Sequence, residues 1–110
     1  MKSFKIKNKK IGNNQPAFVI AEVGLNHNGS VSQCAKLIDQ AKIAGADAVK
    51  LQVSDPEESY ANYTTSYKLF KKYSLKENEI LNLTKYADKK KNNIFYHSRR
   101  FQKSGFSKKI

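Results

Sequence analysis

Cysteine, proline, tryptophan and long apolar runs are scarce or missing in this chain of 110 residues. Its one cysteine, Cys34, excludes an internal disulfide framework and a zinc site built on cysteines. No apolar run approaches the roughly 18 residues of a membrane-spanning helix. The lysine-rich start MKSFKIKNKK lacks the apolar segment of a secretory signal. We therefore expect no membrane contact and a cytoplasmic location.

Acidic residues are missing from the end of the chain, so the net charge of +12 is unevenly spread. Residues 1–88 carry 13 lysines and 9 acidic residues, whereas residues 89–110 carry 6 lysines, both arginines and no acid. A basic tail is typical of proteins that bind nucleic acids or anionic surfaces. The abrupt change also indicates that the last residues follow a different design from the first ones.

Large apolar side chains are few, and their spacing predicts one small α/β domain with a lean core. Leu, Ile, Val and Phe make up 26 of the 110 residues, just above the roughly 20% below which a highly charged chain stays disordered. Ser30 is suited to begin a helix and Gly45 to end it. The run AFVIAE is typical of a strand buried on both faces. The predicted order is a hairpin, then strand, helix, strand, helix and strand, near residues 4–11, 17–22, 30–44, 47–52, 76–91 and 93–96. A long loop over 54–67 and a short helix over 67–73 are expected between the second strand and the second long helix.

Side chains alternate between the two faces of a strand, and this periodicity gathers polar residues on one face. Glu22 ends the first strand on the face that Lys50 and Gln52 share in the second strand. The opposite face, with Val49, Leu51 and Val53, should meet the helices. Ligands bind at the carboxyl ends of parallel strands. Two interpretations stay open: an ion pair without chemistry, or a site where Glu22 handles protons or a hydroxyl and the other two hold an anionic or carbonyl oxygen.

The loop Asn26-His27-Asn28-Gly29 follows the first strand. His27 could act as an acid or base, but a turn with left-handed backbone, capped by the histidine, is favoured on the residues alone.

Aromatic residues alternate with lysines between positions 60 and 73. This mixture could bind single-stranded nucleic acid. The spacing of Tyr63, Tyr67 and Phe70 favours instead the packed side of one helix. Cys34 is predicted to be a small core residue rather than a nucleophile, since nothing near it in sequence lowers its pKa.

The motifs IAEVG, NHNG and AGADAVKLQ occur here in this order. Together they resemble the sialic acid synthase family, which includes N-acetylneuraminate, legionaminate and pseudaminate synthases and relatives in spore-coat polysaccharide synthesis. The likeness extends over about residues 11–96. It implies a partial (β/α)8 TIM barrel, with its first three strands and two helices preceded by a short N-terminal hairpin. A whole barrel needs roughly 250 residues, so residues 1–97 would form only its N-terminal portion.

The resemblance also implies a reaction in surface carbohydrate biosynthesis, for example of lipopolysaccharide. Carbon 3 of phosphoenolpyruvate is joined to the aldehyde of an open-chain N-acetylmannosamine-type sugar, water attacks the oxocarbenium centre, and phosphate leaves. By resemblance, Glu22 is the catalytic residue that contacts the sugar. Lys50 and Gln52 bind phosphoenolpyruvate, and Asn26 and His27 lie in the substrate-binding loop beside it.

Several parts of the family's machinery are expected to be missing from this chain. The family uses a divalent metal, Mn²⁺ or Mg²⁺, held by histidines further along the barrel, and a homodimer in which a capping domain covers the partner's site. The chain alone is therefore expected to be inactive. Residues 98–110 depart from the family pattern and are interpreted as a divergent basic tail, consistent with a shifted reading frame.

Two alternatives come from other classes of protein. A small basic nucleic-acid-binding protein would explain the tail, but charge is a weak signal and does not account for the ordered motifs. A fragment that docks onto a full-length synthase through exposed barrel edges is the second alternative.

Overall fold

A computed structural model describes residues 2–90 and the backbone of residues 93–97. It begins with an antiparallel hairpin of β1 (Phe4–Ile6) and β2 (Lys9–Ile11). Lys7 starts the two-residue turn between them with a φ of 50°. The predicted hairpin is therefore confirmed. The interpretation of residues 98–110 as a separate tail lies outside the described residues.

Three parallel strands form the second sheet in the order β3-β4-β5, namely β3 (Ile20–Gly24), β4 (Ala48–Gln52) and β5 (Asn93–His97). The α/β class is confirmed. The first strand was predicted to begin near residue 17, but pairing with β4 begins at Ile20 opposite Ala48. The carbonyl of Val19 already accepts the N–H groups of Asp47 and Ala48, at 2.8 and 3.2 Å. Backbone contact between the two segments thus starts just before the ladder.

Two long helices cover one face of this sheet. The first, α1 (Val31–Ile43), begins where predicted, because the Ser30 hydroxyl accepts the N–H of Gln33 at 3.2 Å. It ends before Gly45, whose φ of +93° is the left-handed conformation expected after a helix. The helix α4 (Glu77–Lys89) packs beside it. The buried core joins both helices to β3 and β4 and contains Val23, Cys34, Ile38, Val49, Leu51, Val53, Leu75, Ile80, Leu83 and Ala87.

Two further helices lie between β4 and α4, where the sequence predicted a long loop and a short helix over 67–73. The helix α2 (Pro56–Ser59) begins because Asp55 accepts the N–H of Glu57 at 3.0 Å and proline suits the first helical position. The helix α3 (Thr65–Tyr73) is capped by Thr64, which accepts the N–H of Tyr67 at 3.2 Å. The described residues thus hold two more helices than the resemblance implies. The short helix predicted over 67–73 is present as α3, whereas α2 was not predicted.

The aromatic residues of this segment do not share one packed face as predicted. Tyr63 precedes α3 and is 81% exposed, because Thr64 sets the start of the helix after it. Phe70 is buried and stacks on Tyr60 with ring centroids 5.3 Å apart. Cys34 is fully buried, and burial raises the pKa of its thiol to about 11. The predicted core role of this cysteine is confirmed.

The face of the sheet opposite the helices is open. Ile20 is 43% exposed, and Glu22, which shares this face, is exposed as well. The prediction of a first strand buried on both faces is therefore wrong for the described residues, since their helices cover only one face. None of the described helices has the length and apolar character needed to cross a bilayer.

The hairpin is tied by ion pairs to the amino ends of the strands. Lys9 Nζ lies 2.6 Å from Asp47 Oδ1, just before β4, and Lys7 Nζ lies 3.2 Å from Asp88 Oδ1 in α4. The hydrogen bond from Lys9, followed by that from the Val19 N–H, lowers the pKa of Asp47. These contacts leave the carboxyl ends of the strands free of the hairpin.

Candidate functional site

Glu22 and Lys50 meet on the open face of the sheet. They are direct partners in the β3–β4 register, and Lys50 Nζ donates a hydrogen bond to Glu22 Oε1 at 2.9 Å. The Glu22 side chain remains 70% exposed and the Lys50 side chain 45% exposed. Exposed pairs of this kind contribute little to folding stability. The pair is therefore accessible to a ligand and is not a buried structural contact.

A pocket of about 220 Å³ surrounds this pair and is lined, among the described residues, by Glu22, Gly24, Lys50 and Gln52. A space of this volume can hold a small acid. The ammonium of Lys50 and the amide of Gln52 can hold anionic or carbonyl oxygens. The carboxylate of Glu22 can accept a hydrogen bond from a hydroxyl or take a proton. The predicted clustering of Glu22, Lys50 and Gln52 is thus present, and their roles stay predictions.

Gly24 was not singled out as a site residue in the sequence. The β3–β4 register shifts between Glu22 and Gly24, so that Glu22 pairs with Lys50 and Gly24 with Leu51. Gly24 has a φ of +59°, and a Cβ at this position would meet no atom within 4 Å. The glycine thus permits the irregularity and leaves the pocket open. A glycine two residues after a strand carboxylate was the available signal.

The residues of the NHNG loop are not among the described lining residues of the pocket. His27 is only 1% exposed, and its Nδ1 accepts the N–H of Gly29 at 3.0 Å. Burial lowers the pKa of His27, and the charge of Glu79 opposes that shift. Asn28 and Gly29 have φ values of 54° and 76°. The favoured interpretation, a left-handed turn capped by the histidine, is therefore confirmed.

Asn26 is likewise occupied within the turn. Its side-chain Nδ2 donates to the carbonyl of Val23 at 2.7 Å. The substrate contacts predicted for Asn26 and His27 stay predictions, because the described pocket is not lined by either residue.

The divalent metal implied by the family resemblance does not fit the described residues. In this part of the chain no three His, Cys, Asp or Glu side chains lie close enough together to hold a metal ion. The pocket offers one carboxylate, Glu22, and it is paired with Lys50. We therefore assign no chemical step through a metal to these residues.

The sequence profile of the NeuB family matches residues 37–107, which is more than half of the chain. The chain belongs to the NeuB family. It is 40% identical over 89 residues to the uncharacterized protein MJ1065 of Methanocaldococcus jannaschii, covering 81% of this chain and 26% of that protein. It is 46% identical over 68 residues to the spore coat polysaccharide biosynthesis protein SpsE of Bacillus subtilis, covering 62% and 18%.

The solved structure of a sialic acid synthetase superposes on almost the whole chain. The N-acetylneuraminic acid (sialic acid) synthetase of Leptospira borgpetersenii, in complex with citrate, superposes with a TM-score of 0.86 at 32% identity. The match covers 97% of this chain and 38% of the synthetase. The chain thus spans 26% of the length of MJ1065 and 38% of the length of the synthetase. The family is one of sugar biosynthesis, and the nucleic-acid-binding alternative is not favoured.

Proposed function

We propose that this chain forms the N-terminal part of a phosphoenolpyruvate-dependent synthase of sialic acids or related nine-carbon sugar acids. The observation that carries the proposal is the open pocket with Glu22, Lys50 and Gln52 at the carboxyl ends of parallel strands. Enzymes with parallel barrels bind their substrates at this end. The parallel order β3-β4-β5, in chain order, suits the first strands of a (β/α)8 barrel.

Lys50 and Gln52 would bind the phosphoenolpyruvate. Its carboxylate and phosphate are anionic, and an ammonium beside an amide provides a charged donor and a neutral one. The pocket volume of about 220 Å³ suits a three-carbon acid. When the substrate enters, Lys50 exchanges its hydrogen bond to Glu22 for one to the substrate.

Glu22 would then face the sugar. A carboxylate released from its ion pair can accept a hydrogen bond from a sugar hydroxyl and orient the aldehyde towards carbon 3 of phosphoenolpyruvate. In the family reaction the new carbon–carbon bond forms there, water adds to the resulting oxocarbenium centre, and phosphate leaves. Glu22 is the proposed catalytic residue because it is the one carboxylate that lines the described pocket.

The described residues do not complete such a site. Catalysis of this kind needs groups from many strands held around one reacting centre, and the described parallel sheet has three strands. We therefore propose that the 110-residue chain alone binds phosphoenolpyruvate without turning it over. Dimerisation, Mn²⁺ or Mg²⁺ and the N-acetylmannosamine-type sugar belong to the proposed whole enzyme, which would act in the cytoplasm.

Calorimetric titration of the chain with phosphoenolpyruvate tests the function of the pocket. Lys50→Met keeps the side-chain length and removes the ammonium, so we expect at least roughly tenfold weaker binding, as for the loss of a charge-assisted hydrogen bond. Lys36→Met, at an exposed position of α1, is the matched control for the lost charge. The proposal fails if both variants weaken binding equally, because attraction by net charge alone would then explain the affinity.

A further inference from the structure

The turn after β3 begins directly after the irregularity in the β3–β4 pairing, which lies beside Glu22. Glu22 pairs with Lys50 and Gly24 with Leu51, so Val23 is an extra residue in β3 with no counterpart in β4. An extra residue disrupts the ladder locally and bends the strand. The turn that follows supplies the Val23 carbonyl with donors from outside the ladder.

Asn26 donates two hydrogen bonds to this carbonyl. Its backbone N–H lies 3.1 Å and its side-chain Nδ2 2.7 Å from the oxygen of Val23. The same pattern occurs elsewhere among the described residues, where the Thr64 N–H and hydroxyl both donate to the Ala61 carbonyl, at 3.0 and 2.7 Å. At Thr64 these bonds stabilise the turn that precedes α3. The bonds from Asn26 stabilise the turn between β3 and α1 in the same way.

His27 holds the second half of the same turn. Its Nδ1 accepts the Gly29 N–H at 3.0 Å, and its carbonyl accepts the N–H of Ser30, the residue that caps α1. Gly29 lies against the end of α3, where a Cβ would be 3.5 Å from backbone atoms of Tyr73. His27 therefore fixes the second half of the turn, up to the start of α1, through its imidazole and its carbonyl.

We infer that Asn26 and His27 are positioning residues that keep Glu22 beside Lys50, through hydrogen bonds to Val23 and Gly29. Neither residue lines the described pocket, and both use their donor or acceptor groups inside the turn. The effect on substrate binding rests on the proposed function, whereas the effect on the Glu22–Lys50 contact does not.

Paired variants separate the hydrogen bonds from the bulk of the side chains. Asn26→Asp keeps the shape and replaces the donor by a carboxylate facing a carbonyl, while Asn26→Thr keeps a donor in the arrangement seen at Thr64. His27→Leu removes the acceptor, while His27→Asn keeps an acceptor oxygen at the place of Nδ1.

Two readouts are made on the labelled 110-residue chain by NMR: the side-chain contact between Glu22 and Lys50, and the dissociation constant of phosphoenolpyruvate. We expect Asn26→Asp and His27→Leu to weaken the contact and to raise the dissociation constant at least about fivefold, as for one lost hydrogen bond. Asn26→Thr and His27→Asn should remain within about twofold of the parent chain.

The inference is overturned if the two disruptive variants fold and keep the parental contact, or if the two conservative variants lose it as completely as the disruptive ones. Should a disruptive variant not fold, the conservative variants decide the question alone, because each must retain the contact. If the parent chain binds no phosphoenolpyruvate, the proposed function fails, while the side-chain contact still tests the positioning role.

Discussion

Backbone register, rather than burial, brings Glu22 and Lys50 together at 2.9 Å. Side chains that face each other across two strands are held close whether or not solvent reaches them. The pair can therefore stay exposed and exchange partners with a ligand at little cost in folding stability. Burial instead governs the neighbouring turn, where His27 is 1% exposed.

The sequence contained enough information to place Glu22, Lys50 and Gln52 together, because strand periodicity assigns each to one face. The turn capped by His27 was also favoured from the residues, since Asn and Gly suit left-handed backbone. The hydrogen bonds from Asn26 to Val23 were not predicted. They depend on the extra residue Val23, and a single sequence shows no sign of which position in a strand lacks a partner.

The buried histidine makes the stability of the chain depend on pH. Burial lowers the folded-state pKa of His27 below its ordinary value of 6.5, although Glu79 opposes this shift. As the pH falls, the unfolded chain then binds more protons than the folded chain. The contribution of His27 to the free energy of unfolding is therefore complete above about pH 6.5 and decreases as the pH falls towards the folded-state pKa.

The free energy of unfolding, measured in urea between about pH 8 and 5, should therefore fall for the parent chain. His27→Asn keeps the acceptor but does not titrate, so its decrease over this range should be smaller. His97 is present in both proteins, and its contribution cancels in the comparison. Equal slopes for the two proteins would show that His27 is not buried in its neutral form.

At the scale of elements, the start of a helix depends on a single polar side chain in three places. Ser30, Asp55 and Thr64 each accept a backbone N–H at the start of a helix. The first of these was predicted, because an apolar stripe at helical spacing follows it. The other two were not, since α2 is only four residues long and α3 has no long apolar repeat. Short helices between polar residues leave little periodic signal.

Replacing the cap of α1 should destabilise the chain measurably. Ser30→Ala removes the acceptor for the Gln33 N–H, and we expect a loss of about 1 kcal/mol in the free energy of unfolding. Ser66→Ala, at an exposed position in α3, is the control and should change stability by less than about 0.5 kcal/mol. Equal effects of the two substitutions would contradict the assignment of Ser30 as the cap.

The whole molecule is a sheet covered by helices on one side and open on the other. The covered side was predicted from the stripe of Val49, Leu51 and Val53, all of which are buried. The open side was not, because an apolar run such as AFVIAE predicts burial by whatever partner the complete fold supplies. A sequence encodes the fold of the intact family protein, and the chain spans only 38% of the synthetase it superposes on.

The charge of the whole chain complicates any test with an anion. With a net charge of +12, lysines across the surface will attract phosphoenolpyruvate weakly and without a defined site. Affinity alone therefore cannot identify the pocket. A residue-resolved map at moderate salt separates the two effects, since salt screens the scattered attraction more strongly than a site with direct hydrogen bonds.

The most direct test is an NMR titration of the labelled chain with phosphoenolpyruvate at about 0.15 M salt. We expect saturable shifts concentrated at the pocket residues Glu22, Gly24, Lys50 and Gln52, and their loss in Lys50→Met but not in Lys36→Met. Shifts spread over the surface lysines, unchanged by Lys50→Met, would contradict the assignment of this pocket as the phosphoenolpyruvate site.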